Sequence, residues 1–288
     1  MIPAKFEYHA PTALPDAIAL LERYADDAKL LAGGQSLIPM MRFRLVEPGH
    51  LVAIGRIDGL AYVRESDGHL AIGAMTREAD LEHAPLVAER YPILRDTSAV
   101  IADPLVRNLA TIGGNLAHAD PANDHPATML VLGAEIVAEG PNGRRTIAID
   151  DFFEDTFTTA LGTSEVLVEI RIPQPRARSG AAYLKLERKV GDFAIVGVAA
   201  RVTLDESGAF DSVGIGLTNV GPTPIRARKT ESSLIGQRPS DEVLKAAGAS
   251  AAGEAEPVTD GRGPAEYKRA MVRTLTIRAV RQALERVR

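Results

Sequence analysis

Residues 110–124 read A-T-I-G-G-N-L-A-H-A-D-P-A-N-D. Two adjacent glycines, Gly113 and Gly114, sit between Thr111–Ile112 and Asn115, and two aspartates, Asp120 and Asp124, follow. Adjacent glycines let a backbone turn sharply and bring its N–H groups against a ligand, because no Cβ stands in the way. Asn115 offers both donors and acceptors, and Thr111 a hydroxyl. Such a stretch suits a polar, phosphate-bearing ligand, since converging amides hold an anion without a lysine. A second stretch of the same character comes earlier: A-G-G-Q-S-L at residues 32–37, directly after apolar Leu30 and Leu31. Either Gly-Gly pair alone reads as a tight turn. The two together read as a ligand cradle.

Working outward, a helix opening near Ser36 would aim its free N–H groups and positive dipole end at the earlier loop. Before it, Thr12 is the expected N-cap of a helix whose face carries Ala17, Ile18, Leu21 and Tyr24. Residues 29–32 and 51–54 read as short strands, and 62–64 with 69–72 as a hairpin across Ser66-Asp67-Gly68. Residues 76–102 are helical in pattern, interrupted at Pro85 and Pro92. After the organising stretch come a short buried helix at 126–132, a hairpin of 134–139 with 144–149, and a strand at 166–172.

The Pro-containing, basic segment 173–180 marks a domain boundary. The expected division is 1–176, in two subdomains of about 1–55 and 56–176, followed by 177–288. In the second part, 182–189, 194–204 and 210–219 read as strands, the last two joined at Asp205-Glu206-Ser207-Gly208. Helices follow at 224–234, 240–252 and 264–287. The fold class is α+β, with a smaller antiparallel sheet-plus-helix domain last.

The 45% hydrophobic and 25% charged content is that of a globular chain. A net charge of -5 and a pI near 5.8 argue against nucleic-acid binding. No apolar run approaches the ~20 residues of a membrane span. Residues 1–8 lack a signal-peptide core, so a cytoplasmic location is expected. The sequence has no cysteine. That excludes disulfides, thiolate nucleophiles and cysteine-held iron–sulfur clusters within it. The six histidines show no H-E-x-x-H or comparable spacing, so no protein-held metal is expected. Redox chemistry here requires an organic cofactor.

A Rossmann site needs G-x-G-x-x-G and a Walker loop needs G-x-x-x-x-G-K-[ST]; neither is present. Separated G-G pairs in α+β surroundings point to a dinucleotide site of another kind. A-G-G-Q-S at 32–36 and T-I-G-G-N at 111–115, followed by D-P-A-N-D at 120–124, resemble the flavin-binding motifs of one family. That family is the medium subunits of molybdenum hydroxylases (the xanthine dehydrogenase family). I-A-D-P-L-V-R-N at 101–108, L-x-R-K-V-G-D-F-A at 186–194 and V-G-P-T-P-I-R-A at 220–227 are similar too. The likeness spans the chain and is nearest to the carbon monoxide dehydrogenase type.

The resemblance implies a flavin domain of the vanillyl-alcohol-oxidase type and FAD as cofactor. It implies an electron-transfer role, from the iron–sulfur clusters of a partner to an external acceptor such as a quinone, with no catalytic residue of its own. The implied partners are an iron–sulfur small subunit and a molybdopterin large subunit, in a dimer of heterotrimers. A quinone acceptor would place the chain at the inner face of the membrane. By position, Ala32, Gly33, Gly34, Gln35 and Ser36, with Thr111, Ile112, Gly113, Gly114 and Asn115, would clasp the pyrophosphate and ribityl chain. Asp120 and Asp124 would accept hydrogen bonds from FAD hydroxyls. Leu161 would lie near the ring, Lys185 would stabilise negative charge on the reduced flavin, and Phe193 would place an aromatic beside it.

Plainer readings stand beside these. Lys185 alternates with Glu187 and Lys189, which also fits a solvated strand face. His118 and His125 read as polar loop groups or contacts at the cofactor's edge. Phe193 also fits a core position. For the whole chain, the alternatives are the medium subunit of an N-heterocycle or aldehyde/xanthine-type dehydrogenase, and a non-catalytic assembly chain with an empty dinucleotide cleft.

Overall fold

The computed structural model describes residues 2–288. The chain opens with β1 (Glu7–His9), α1 (Leu14–Tyr24), β2 (Ala28–Leu31), α2 (Leu37–Arg42) and β3 (His50–Ala53). The three strands form a parallel sheet in the order β1-β3-β2. Helix α1 buries Ala17, Ile18 and Leu21 against it, as the 3.6-residue spacing requires. Its N-cap is Ala13, which makes no side-chain cap bond, and not Thr12. Pro15 in the first turn supplies a preset φ and one fewer orphan N–H, so the start does not depend on a hydroxyl cap. Parallel pairing puts the ends of β2 and β3 on one side, where β2 runs straight into residues 32–36.

The middle of the chain starts with β4 (Val63–Ser66) and β5 (His69–Gly73), then α3 (Glu78–His83), α4 (Pro85–Arg90) and α5 (Pro92–Ala99). Pro85 and Pro92 each open a new helix, as their missing N–H favours. Next come α6 (Pro104–Arg107), α7 (Ile112–His118), α8 (His125–Leu132), β6 (Glu135–Gly140), β7 (Gly143–Ala148), the small hairpin β8 (Phe153–Asp155) and β9 (Thr158–Thr159), and β10 (Val166–Pro173). The sheet order is β4-β5-β10-β6-β7, and every pairing is antiparallel. One face, with Leu70, Ile72, Ile136 and Ile170, packs on Ile112, Leu116 and Met129. The other presents Val137, Val166 and Val168 to Ala17 and Ile18 of α1 and Val52 of β3. The bulge in β10 between Leu167 and Glu169 shifts the alternation by one residue, so the strand serves both cores.

The last part comprises β11 (Ser179–Leu186), β12 (Val196–Leu204), β13 (Phe210–Thr218) and β14 (Ile225–Arg226), paired antiparallel in that order, then α9 (Arg228–Leu234), α10 (Asp241–Glu254) and α11 (Ala265–Glu285). Strand β11 begins inside the segment 173–180 that marks the expected domain boundary and ends before Lys189, because its ladder with β12 runs from Ser179–Thr203 to Leu186–Val196. Val196, Val198, Ala200 and Val202 face the helices, with Val272, Ala279 and Val280 opposite. The reverse face, with Tyr183 and Ala199, meets Ile93, Ala127 and Val131 of α5 and α8. Helix α8 is therefore enclosed on all sides, and His125 through Val131 are all buried. Its close seat on β13 needs a glycine: a Cβ at Gly216 would lie 2.4 Å from the Ala127 carbonyl oxygen.

Candidate functional site

A cleft of about 590 Å³ opens where the ends of β2 and β3, the start of α7 and the loop after β11 converge. Of the residues singled out in the sequence, Ala32, Gly33, Gly34, Gln35, Ser36, Thr111, Gly113, Gly114, Asn115, Asp124, Leu161, Lys185 and Phe193 line it. Ile112 and Asp120 do not. The Ile112 side chain is buried in the central core. Asp120 closes a turn by accepting the Ala122 N–H at 2.8 Å.

The glycines bring the two motif stretches together. A Cβ on Gly33 would stand 2.1 Å from the carbonyl oxygen of Leu109, and one on Gly113 would stand 2.6 Å from that of Ala74. Gly34 has φ +72, the left-handed conformation that side chains resist. Gly114 faces the cleft, where a Cβ would approach the Thr111 hydroxyl at 2.8 Å.

The two stretches differ in what their backbones have left to offer. Residues 111–115 are not a loop: Thr111 caps α7, and its Oγ1 accepts from the Gly114 N–H at 3.2 Å. The amides of Ile112, Gly113 and Asn115 donate to the carbonyls of Thr76, Ala74 and Thr111. By contrast, among the described residues the amides of Gly33, Gly34, Gln35 and Ser36 donate to no protein acceptor. Four consecutive N–H groups without a protein acceptor at the wall of a cleft are donors of the kind that anions take up. Helix α2 spans six residues and starts after them, so these amides precede the helix instead of forming its first turn.

Deeper in, Lys185, Asp124 and Tyr183 close a network across the junction of the middle and last parts. Lys185 Nζ donates to Asp124 Oδ2 at 2.9 Å and to the Val100 carbonyl at 2.9 Å. The Tyr183 hydroxyl donates to Asp124 Oδ1 at 2.6 Å. The side chains of Lys185 and Asp124 are only 2% and 6% exposed. Lys185 is thus not on a solvated strand face. Burial pushes the Asp124 carboxyl up, against the pull of the Lys185 ammonium and the Tyr183 hydroxyl. Burial and the adjacent carboxylate hold the Tyr183 phenol well above its usual range, so it remains a donor. Replacing it tests the network: Tyr183→Phe is expected to lose about 1.5–3 kcal/mol of stability, the worth of a hydrogen bond to a charged group. Denaturant unfolding of the two proteins checks this, and an unchanged midpoint would place the phenol outside the network.

Tyr183 carried no signal in the sequence, because its partner lies 59 positions away. Phe193 is half-exposed at the cleft, with the Arg262 guanidinium 5.2 Å from its ring centre. It is not a core residue. His118 also lines the cleft, leans on Phe157, and is pushed toward the neutral form by burial. His125 is elsewhere: fully buried, its Nε2 lies 2.7 Å from Glu78. The Asn115 side-chain oxygen is buried at the cleft without a protein partner.

Residues 4–175 match the family described as the FAD binding domain in molybdopterin dehydrogenase. The chain belongs to that family. Residues 181–283 match a second family, the CO dehydrogenase flavoprotein C-terminal domain. The carbon monoxide dehydrogenase medium chain of Hydrogenophaga pseudoflava is 47% identical over 287 residues, which is 99% of each chain. The solved carbon monoxide dehydrogenase of that organism superposes over 100% of both chains with a TM-score of 0.97. Quinoline 2-oxidoreductase from Pseudomonas putida 86 follows the same fold, with a TM-score of 0.93 at 32% identity over 99% of both chains. The family's cofactor is FAD, and the chain is an oxidoreductase subunit.

Proposed function

We propose that the chain is the FAD-carrying electron-transfer subunit of a carbon monoxide dehydrogenase-type molybdenum enzyme. It conveys electrons from the iron–sulfur clusters of a small subunit to an external acceptor such as a quinone. The observation that carries the reading is the row of four free amides on a cleft that joins both motif stretches, in a chain with full-length likeness to such subunits.

The residues present fit FAD. The amides of residues 33–36 would hold the diphosphate, and the unpartnered Asn115 oxygen would accept from a hydroxyl of the cofactor. Lys185 and Asp124 meet the ligand as an ion pair, so the Asp124 oxygens reach it with one donor each already in place. Phe193 and Leu161 supply apolar walls for a planar ring. Bound FAD supplies the two-electron chemistry; the chain binds it, orients it and shields one side from water.

With no cysteine, these 288 residues hold no cysteine-ligated cluster themselves; we assign the clusters to a small subunit and the molybdopterin to a large subunit, in a dimer of heterotrimers. No described helix is long and apolar enough to cross a membrane; we assign the quinone contact to the inner face of the membrane as a peripheral one. The test is purification with and without partners. The chain alone is expected to hold FAD that dithionite reduces and carbon monoxide does not, and the assembled complex to be reduced by carbon monoxide. Reduction of the assembled complex by quinoline or an aldehyde but not by carbon monoxide would reassign the substrate. A chain that binds no flavin would favour an assembly role.

A further inference from the structure

At the end of the first sheet remote from residues 32–36, three ligand-type side chains converge. In the parallel ladder Glu7 is paired with His50 and His9 with Val52. Side chains at i and i+2 of a strand share a face, so Glu7, His9 and His50 stand together on one side of the sheet. His9 Nε2 is 3.1 Å from His50 Nδ1. A Glu7 carboxylate oxygen is 3.5 Å from His50 Nδ1 and 4.0 Å from His9 Nε2.

The imidazole spacing is that of two neighbouring ligands on one metal. With metal–nitrogen bonds of about 2.05 Å, nitrogens this far apart subtend an angle of about 100°, between octahedral and tetrahedral values. The Glu7 side chain is 68% exposed, so its carboxylate is free to close the remaining few tenths of an ångström.

The surroundings orient the ligands. Asp27 Oδ2 lies 3.8 Å from His50 Nε2, and Asp27 Oδ1 is fixed by the Gly49 N–H at 2.8 Å. A carboxylate behind the outer ring nitrogen favours the tautomer that leaves Nδ1 a lone pair, as in metal sites. The Tyr24 ring stacks on His50 at 3.6 Å and 12°, which holds the imidazole plane. Both histidine side chains are mostly shielded, at 22% and 16% exposure. None of Glu7, His9, His50 and Asp27 lines the cleft.

We propose that Glu7, His9 and His50 form a binding site for a divalent transition-metal cation, with Zn²⁺ the best match to two imidazoles and one carboxylate. The ion staples the three-residue edge strand β1 to β3, independently of FAD.

The test uses the full chain, treated with chelator and then titrated with Zn²⁺ by calorimetry and by thermal unfolding. Wild type is expected to bind saturably and to gain thermal stability from the ion. His50→Phe keeps a ring for Tyr24 to stack on but removes the lone pair, and His9→Gln removes the other imidazole. Each should weaken Zn²⁺ binding by more than about 100-fold, and Asp27→Asn, behind the ligands, by about 10–100-fold. Flavin content should stay unchanged in all three. No saturable binding by wild type, or equal binding by wild type and both histidine variants, would overturn the site and leave the pair as a hydrogen bond between rings. A His50→Phe protein that fails to fold leaves His9→Gln to decide the matter by the same measure.

Discussion

Lys185→Met is expected to destabilise the chain by about 3–5 kcal/mol near neutral pH, the cost of leaving a buried charge without its partner. The wild-type ammonium is nearly inaccessible and sits 2.9 Å from the Asp124 carboxylate. A methionine fills most of the volume but supplies no charge and no donor, and it also leaves the Val100 carbonyl without the ammonium. Replacing both members should be milder than replacing one. The Lys185→Met/Asp124→Asn double variant is expected to recover much of the loss, since a buried ion pair is worth little net of desolvation. Denaturant unfolding of wild type, both single variants and the double variant gives the coupling directly. Strictly additive losses would show that the two residues act apart.

The pH dependence of the single variant follows from Asp124. Burial already pushes its carboxyl up, and the Lys185 ammonium is the largest influence opposing that push. Without the ammonium the folded-state pKa rises further above the unfolded value of about 3.9. A carboxyl whose folded pKa is raised binds a proton on folding between the two values, so stability falls as pH rises through that window. The deficit of Lys185→Met relative to wild type should therefore be smaller at about pH 5 than at about pH 8. A deficit that grew on acidification would mean that Asp124 remains ionised by some other partner.

What the sequence made legible was local chemistry. Both glycine pairs, the breaks at Pro85 and Pro92, and the meander of β12 and β13 were readable because turn residues and alternation act over a few positions. Two glycines and an asparagine are poor helix formers, so local propensity does not mark residues 111–115 as the start of a helix. Tertiary contacts override that propensity. Thr76 and Ala74 take the first amides of α7, and Gly113 packs on Ala74 where no side chain fits. The glycines there serve close packing as much as ligand access. The Lys185–Asp124–Tyr183 network and the pairing of His9 with His50 were illegible for one shared reason. Each joins residues far apart in sequence through strand register, and register is set by whole sheets rather than by any short motif. The α+β class followed from patterning; the unequal duties of the two glycine stretches did not.

That inequality sets up the second large effect. Gly33→Ala is expected to reduce FAD content at least tenfold in a chain that still folds around its other cores. An added methyl would sit 2.1 Å from the Leu109 carbonyl oxygen and within 3 Å of the Ala110 Cα. Backbone cannot rotate away as a side-chain tip can, so the loop of residues 32–36 must lift off the segment that leads into α7. Overpacking of this kind costs about 1–3 kcal/mol. The same displacement moves the four free amides out of convergence, and a factor of ten in affinity is only about 1.4 kcal/mol. Gly55→Ala is the matched control, because a Cβ there meets nothing within 4 Å. Both proteins would be purified with FAD in excess, desalted, and compared by flavin absorbance per chain and by circular dichroism. Full flavin in Gly33→Ala would show that the amides of residues 33–36 do not hold the diphosphate, and would shift the site toward the Asn115 side. Equal loss in Gly55→Ala would mean that the first sheet is too labile for any glycine in it to report on the cofactor.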